Sequence, residues 1–438
     1  MFDSTRDRGL AERLQHGIDS AMKKGAAGAK IIFTHDDTTE CTFENSRLKS
    51  GKVQQTQGFT VEVLVDGRRG TASGNEEEAL DELIARAITL AGVGSAAHFS
   101  AYPAPAPVAP VAMFAADVPQ TLSLEKMVAD GQAMVDRLLD YDATMSVGAG
   151  GSCGVYQSLV VTSGGVCHPS QRTRWSLVAF VQRTRDTDIL FCGFGRGWCA
   201  LNELYDPDEI TEHVLKDLRF AELNVEPPIG RMPVYVDPEG LSMFLWPILM
   251  GVNGRNVAKG DSPLKGRLGE QVLDPCLTLI DNPHLPYAFN CADIDDNGIP
   301  TRRQAIFRDG VLERFLYDLD SAGLAGAEPT GNAGCSAYAP EVLPGAQPSE
   351  ELLAGISDGL FIKMLVGFGQ SNILNGDFSA NVGQGYRIKD GKVVGRVKDT
   401  MVAGNVYDVF KANVKLSADR DPMIRMPYAV LEGINVSA

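Results

Sequence analysis

The longest apolar run of the chain, Leu241 to Val252, is roughly 12 residues long and contains Pro247. A membrane-crossing helix needs roughly 20 apolar residues, so this run predicts a buried helix of a folded core. Leu241, Phe244, Leu245, Ile248 and Leu249 fall at spacings of three and four, the pattern of a core-facing stripe on a helix that follows Pro238. Val234-Tyr-Val-Asp-Pro-Glu-Gly240 precedes the run. Asn253-Gly-Arg-Asn-Val257 and Lys259-Gly-Asp-Ser-Pro-Leu-Lys-Gly-Arg-Leu-Gly-Glu270 follow it. The passage closes on the strand-like Leu277-Thr-Leu-Ile-Asp281.

The rest of the composition narrows the class. A chain of 438 residues, 44% hydrophobic and 22% charged, can bury a sizeable core and make two domains. Its formal charge of −16 repels phosphate backbones, and its basic clusters, Arg172–Arg174 and Arg302-Arg303, are short. No nucleic-acid partner is expected, because that would need a basic stripe. The start, Met-Phe-Asp-Ser-Thr-Arg-Asp-Arg, has no apolar stretch for a signal peptide. The expectation is a cytoplasmic protein with no membrane contact. Eight cysteines without a CxxC pair then predict reduced thiols rather than disulfides.

Along the N-terminal half, Leu10, Leu14, Ile18 and Met22 predict a helix over 4–24. Short strands are expected at Lys30–Phe33 and Cys41–Phe43. Gly58–Val65 alternates as a strand and turns at Asp66-Gly67, a hairpin signal. Asn75 can cap a following helix, with Glu78 as its capping-box partner, and that helix runs to about Leu90. Residues 95–120 are rich in Ala and Pro and cannot hold a helix, so they read as an extended connector between two lobes. A second round follows: a helix near Ser123–Leu139, strands near Gly154–Thr162 and Trp175–Gln182, and a helix capped by Asp206-Pro207 and reaching about Leu223. Helix–strands–helix thus occurs twice before residue 225, which hints at a duplication. Glu226-Pro-Pro-Ile-Gly230 marks the expected boundary between an N-terminal α/β domain, 1–225, and a β-rich C-terminal domain, 226–438. The latter is punctuated by turns such as Asp309-Gly310 and Asp390-Gly391, with a short helix near Asp318–Ala325. The pattern is α+β, not alternating βαβ.

The chemical motifs have mostly plain readings. None of the six histidines, His16, His35, His98, His168, His213 and His284, has another histidine four residues away to share a metal on one helix. The nearest mixed cluster, Cys276, His284 and Cys291, flanks a Pro-interrupted segment. Asp293-Ile-Asp295-Asp-Asn297-Gly298 matches half of an EF-hand loop, but position 12 is Gln304, so a tight turn is expected. Gly150-Gly-Ser152-Cys-Gly154 has the G-x-S-x-G spacing, yet a strand pattern follows where a nucleophile elbow needs a helix. Gly193-Phe-Gly195-Arg-Gly197 lacks the crossover of a dinucleotide site. Cys153, Cys167, Cys192 and Cys199 read as small hydrophobes without a placed histidine.

Taken in order, several elements resemble those of the TldD/PmbA family, described as modulators of DNA gyrase or peptide-maturation proteases. They are the Val234–Asp281 passage, Val65-Asp66-Gly67-Arg-Arg-Gly70-Thr-Ala-Ser73, Asp295-Asp-Asn-Gly298-Ile-Pro300, Pro344-Gly345, Gly376-Asp377-Phe-Ser379 and Ala403-Gly-Asn405. The resemblance implies two domains and places three positions of interest on the apolar helix. In the TldD branch that helix carries His-Glu-three residues-His, and a Cys near the C-terminus completes a zinc site. Counting back from Lys259-Gly260 puts Leu245, Trp246 and Met250 at those positions, and the last cysteine is Cys335. The resemblance is therefore to the PmbA (TldE) branch. It implies no metal, no other cofactor and no catalytic residues of the chain's own. The partner it implies is a TldD-like zinc peptidase subunit in a heterodimer, with a homodimer as the other assembly. The substrate would be an extended or unfolded peptide bound by strand addition, with Asp295, Asn297 and Gly298 as substrate-facing candidates. The alternatives are a self-sufficient, metal-independent hydrolase and a non-enzymatic binding module acting on gyrase or toxin–antitoxin proteins.

Overall fold

The computed structural model describes residues 4–77, 79–186 and 188–438. Its first layer is one sheet of long strands. Helix α1 (Ser4–Lys23) leads into β1 (Gly28–Glu44), β2 (Arg47–Val65), β3 (Arg68–Gly74) and α2 (Leu80–Ala91). After α3 (Asp117–Thr121), α4 (Leu124–Tyr141) leads into β4 (Ser146–Thr162), β5 (Cys167–Arg185), β6 (Asp188–Trp198) and α5 (Pro207–Phe220). Helix, three strands and helix therefore occur twice, as the sequence pattern indicated. The strand order is β3-β2-β1-β4-β5-β6, so the two rounds meet at an antiparallel β1/β4 pair in the middle of one sheet.

The strands are much longer than their apolar patches. β1 fuses the two short expected strands through the polar stretch Thr34–Glu40. It pairs with β2 on one side and β4 on the other, and these two ladders hold the polar middle in strand form. Its ends serve two cores. Ile31 and Phe33 pack with Leu14, Ile18 and Ile84, while Cys41 and Phe43 pack with Met127, Met134 and Leu138. In α1, Leu10, Leu14 and Ile18 are buried as the spacing predicts, but Met22 is exposed and Ala21 takes the inward position.

Two local expectations change. Asn75 does not cap α2, which starts at Leu80 after Ala79 with no side-chain cap; Glu78 lies outside the described residues. Within residues 95–120, otherwise irregular as expected, α3 is helical despite Pro119. A proline in the first turn costs little, because those amides have no intrahelical partner. Asp206 does cap α5, accepting a hydrogen bond from the Asp208 amide at 2.9 Å.

The remaining strands form two further sheets. β7 (Gly230–Val236) leads through Asp237 into α6 (Pro238–Gly251) and α7 (Gly254–Lys259). β8 (Leu279–Asp281), β9 (Gln304–Arg308), β10 (Val311–Leu312), α8 (Leu319–Ala325) and β11 (Pro340–Val342) follow, the strands in the order β10-β9-β8-β11. Then come α9 (Ser349–Ala354), β12 (Asp358–Val366), β13 (Asp377–Lys389), β14 (Lys392–Arg396), β15 (Met401–Asn405), β16 (Lys415–Arg420) and β17 (Pro427–Ser437). β12, β7, β17, β15 and β13 pair in that order, and β13 pairs back to β12, so this sheet closes on itself. α6 packs against β12 and β17 of that ring.

The Asp-Gly pairs behave as their chemistry demands. Asp66-Gly67, Asp309-Gly310 and Asp390-Gly391 each have both residues at positive φ and join β2/β3, β9/β10 and β13/β14. That is the type I′ hairpin geometry, whose twist matches the strands it joins.

The whole is an α+β fold with a β-rich C-terminal part. Its cores do not divide cleanly at residue 225: Tyr235, Phe361, Tyr386 and Val430 pack in the same cluster as Trp175, Leu177 and Leu218.

Candidate functional site

Two neighbourhoods meet on α6. The helix begins where the Asp237 carboxylate accepts the Gly240 amide at 2.9 Å, a standard N-cap. Its inward stripe is Leu241, Phe244, Leu245 and Ile248, all at most 1% exposed. The Phe244 ring meets Phe368 and Phe378 edge-on, at 5.3 and 5.5 Å between centroids. Leu249, expected in the same stripe, is only partly buried. Of the three positions singled out by sequence, Leu245 lies in this core, Met250 is half-buried and Trp246 is 45% exposed beside Gly369. None of the three offers the nitrogen, oxygen or thiolate donors that zinc takes. The segment Lys259–Ser262 turns back onto the helix end: Gly260 has φ 88°, and the Ser262 hydroxyl donates to the Gly251 carbonyl at 2.5 Å.

The other sequence candidates lie elsewhere. Asp295 and Asn297 are 2% and 7% exposed, in a turn that docks on the first sheet. Asp295 Oδ1 accepts the Asn297 and Ile299 amides at 2.8 and 2.9 Å, so the residues expected to form a tight turn do. Lys30 of β1 reaches over to donate to Asn297 Oδ1 at 2.9 Å. Gly298 has φ 80°, and a Cβ there would come within 2.6 Å of Val166. Cys276, His284 and Cys291 go to separate partners: the Val414 carbonyl, Thr301 and Cys199 respectively. Among the described residues no group of three or more His, Cys, Asp or Glu side chains is placed to hold a metal ion. Ser152 sits inside β4, so Gly150–Gly154 forms no elbow.

A further polar constellation was not singled out from the sequence. A cleft of about 400 Å³ opens where α5 and β6 meet α6, β12 and β17. On its floor Lys363 of β12 lies 2.6 Å from Asp217 of α5 and 3.5 Å from Asp237. Gln384 donates to Asp217 at 2.9 Å and to the Tyr386 hydroxyl at 2.8 Å, and that hydroxyl donates to the Asp217 carbonyl at 3.1 Å. Burial opposes the Lys363 charge, but Asp217 and Asp237 outweigh it and hold the ammonium protonated well above the usual lysine range. Glu239, in the first turn of α6, behaves differently. Loss of water inside the cleft and the negative Asp237 push its carboxyl up to about 7 against the pull of Lys363, so it can take up and release a proton near neutrality. On the opposite wall Arg196 binds Asp421 at 2.6 Å and Glu209 at 3.0 Å, and the Phe194 and His213 rings stack at 3.9 Å. The signal that could have found this site is a lone lysine within Phe361-Ile-Lys-Met-Leu365, a run that is otherwise apolar.

Comparison with known proteins places this architecture. Residues 229–438 match the family model of the PmbA/TldA metallopeptidase C-terminal domain, and residues 29–91 that of PmbA/TldA metallopeptidase domain 1. The chain belongs to the PmbA/TldD family. It is 25% identical over 428 residues to the metalloprotease PmbA of Escherichia coli O157:H7, covering 93% of this chain and 91% of that protein. It is also 25% identical over 342 residues to the metalloprotease TldD homologue of Haemophilus influenzae, covering 72% and 69%. Two solved structures share the fold. A Thermotoga maritima protein described as a modulator of a DNA gyrase has a TM-score of 0.87 at 23% identity, covering 98% of this chain and all of that one. TldE from Thermococcus kodakarensis has a TM-score of 0.87 at 20% identity, covering 97% and 100%. Among the described residues no helix of this PmbA/TldD-family chain is long and apolar enough to cross a membrane.

Proposed function

We propose that this chain is the PmbA/TldE-type, non-catalytic subunit of a cytoplasmic TldD-type metallopeptidase complex that acts on extended or unfolded peptides. The observation that carries the reading is Leu245. It occupies a position where the TldD branch has a metal-binding histidine, and it is 1% exposed in the hydrophobic core. A core leucine gives up nothing by lacking a metal, and with Trp246 and Met250 beside it the helix serves packing.

Peptide handling needs no chemistry of its own. A groove of about 240 Å³ lies beside α6, between Ser242, Phe289 and Tyr338. It is close to β11, the edge strand of the four-stranded sheet. In this reading an extended peptide lies in the groove; β11 itself has no free amides to offer, because Pro340 has none and the Val342 amide donates to the Arg425 carbonyl at 3.2 Å. The partner in this reading is a chain with an intact His-Glu-three residues-His helix.

Co-purification tests the reading. The tagged chain is expected to carry no stoichiometric zinc by itself. Mixed with a TldD-type chain, it should form a complex holding zinc only on that partner and cleaving peptide only as the mixture. Chelator-insensitive cleavage by the isolated chain would replace this reading with a self-sufficient hydrolase.

A further inference from the structure

Three arginines converge on one buried carboxylate next to the groove beside α6. The side chain of Glu341, in β11, is only 4% exposed. Arg425 donates to its Oε2 from Nη2 at 3.1 Å and from Nε at 3.3 Å, and Arg303 donates to its Oε1 at 3.2 Å. Arg420 lies 3.7 Å from Oε2. Among the described residues none of these arginines pairs with another carboxylate. One negative charge therefore faces three positive ones. Burial and the neighbouring Arg425 lower the Arg420 guanidinium below the ordinary arginine range, against the pull of Glu341. Its Nη1 is buried without a hydrogen-bond acceptor. The cluster carries a surplus of cations that the fold itself does not neutralise.

We propose that this surplus makes the groove beside α6 a capture site for the free C-terminus of a peptide whose last side chain is apolar. The inference rests on the reading of this chain as a peptide-handling subunit, and it names the part of the peptide that is held. Of the three arginines only Arg425 lines the groove, and no other residue of the wall is charged. The wall is otherwise mostly apolar, with Leu285, Phe289, Met423, Ile424 and Met426. A guanidinium meets a carboxylate through charge-assisted hydrogen bonds, the strong kind. The apolar walls then take the side chain next to that carboxylate, and unbranched methionines adapt to side chains of different shape.

The backbone is bent to place this arginine. Arg425 has φ 64°, a left-handed conformation that few non-glycine residues adopt. Asp421 holds the turn. Its carbonyl accepts the Arg425 amide at 2.9 Å, and its Oδ1 accepts the Met423 and Ile424 amides, each at 2.8 Å. Its Oδ2 accepts from Arg196 of β6 at 2.6 Å. Conformations of this kind persist only where the surroundings over-determine them, and they cluster at ligand clamps.

Size points to a chain end. The groove encloses about 240 Å³, below the roughly 300–1,000 Å³ of pockets that take drug-sized ligands. An internal Asp or Glu would bring main chain on both sides of its carboxylate into that space, whereas a terminus brings it on one side. With no free amides on β11, the carboxylate and Arg425 make the polar anchor.

The test uses the full chain and three fluorescein-labelled hexapeptides, followed by fluorescence anisotropy. One ends in Ser-Gly-Leu with a free carboxylate. The second is the same peptide with an amidated end. The third is amidated and carries an internal Glu. The free acid is expected to bind, and both amides to bind at least about tenfold more weakly, the scale of a hydrogen bond to a charged group. Arg425→Gln should erase the difference between acid and amide. Arg303 and Arg420 still neutralise Glu341 in that variant, so no charge is stranded. Ser242→Trp, at a half-buried position of α6, leaves the arginines alone and fills the groove; it should weaken the free acid as much. Equal binding of acid and amide to the parent chain, or binding of none, would overturn the proposal. So would internal-Glu binding at the level of the free acid, which would assign the site to acidic side chains. The subunit reading fails separately, through zinc on the isolated chain or cleavage by it, whatever the end of the peptide.

Discussion

Lys363 Nζ lies 2.6 Å from Asp217 Oδ2, and this pair ties α5 of the N-terminal layer to β12 of the closed sheet. The lysine side chain is 13% exposed and the aspartate 5%, with Asp237 at 3.5 Å sharing the same cation. A buried pair of this kind contributes little net stability compared with an apolar substitute, because both ions lose their water. Removing one partner is another matter, since it leaves the remaining charge stranded. Lys363→Met is expected to cost about 3–5 kcal/mol of folding free energy. Adding Asp217→Asn to Lys363→Met should recover part of that loss. Urea unfolding of the parent, both single variants and the double variant closes the cycle. Purely additive effects would show that the pair is not coupled.

The α6 helix gives a contrast within two adjacent residues. Leu245 is 1% exposed and Trp246 is 45% exposed. Leu245→Ala removes buried methyl groups and leaves a cavity, at an expected cost of about 2–5 kcal/mol. Trp246→Ala removes a larger side chain that touches Gly369 but lies half in water, and should cost clearly less. Chemical denaturation of the two variants decides the order. Equal losses, or a negligible loss at Leu245, would mean that the helix opens a cleft at that position rather than filling a core.

Asp295 should make folding pH-dependent. Burial pushes its carboxyl up to about 7 from the ordinary 3.8, with the negative Asp296 adding to the effect and two backbone amides and Lys30 opposing it. The folded state therefore holds a proton that the unfolded state has released. The stabilisation is complete below about pH 4 and is lost as pH rises through about 7, on the order of 2–4 kcal/mol over that window. Asp295→Asn keeps an oxygen for the Asn297 and Ile299 amides and cannot ionise. It is expected to be near neutral or slightly destabilising at pH 5 and to gain on the parent by pH 8. Unfolding midpoints at several pH values give the difference directly. A difference that stays constant with pH would rule out Asp295 as the titrating group.

What the sequence revealed and what it hid follow the same physics. Short-range chemistry was legible: Asp66-Gly67 and Asp390-Gly391 force hairpins by their own φ preferences, and Leu10, Leu14 and Ile18 mark a buried helix face. The long strands were not, because Thr34–Glu40 carries no apolar alternation and is held by neighbours on both sides. The cleft was invisible for a related reason. Asp217 and Lys363 are 146 residues apart, and nothing local to either announces the other. Asp295 and Asn297 were legible as a turn, but only the tertiary contact with Lys30 and Val166 shows that the turn is clamped against the first sheet.

The α6 positions also predict the failure of a simple repair. Leu245→His, Trp246→Glu and Met250→His together restore the spacing of a zinc helix. They do not restore what such a site needs around it. A histidine at 245 enters the cluster of Phe244, Ile248 and Val252, where those apolar neighbours offer its second ring nitrogen no hydrogen-bond partner. Zinc-bound histidines depend on such partners for orientation and basicity. The cysteine nearest the C-terminus, Cys335, is buried against Ser321, with its sulfur 3.0 Å from that hydroxyl. The triple variant is therefore expected to lose stability, to bind zinc no better than the parent after dialysis against chelator, and to cleave no peptide. Elemental analysis, a melting curve and a quenched-peptide assay on the same sample measure all three. Tight zinc binding with chelator-sensitive cleavage would show that the scaffold around Leu245 can accommodate a working metal site.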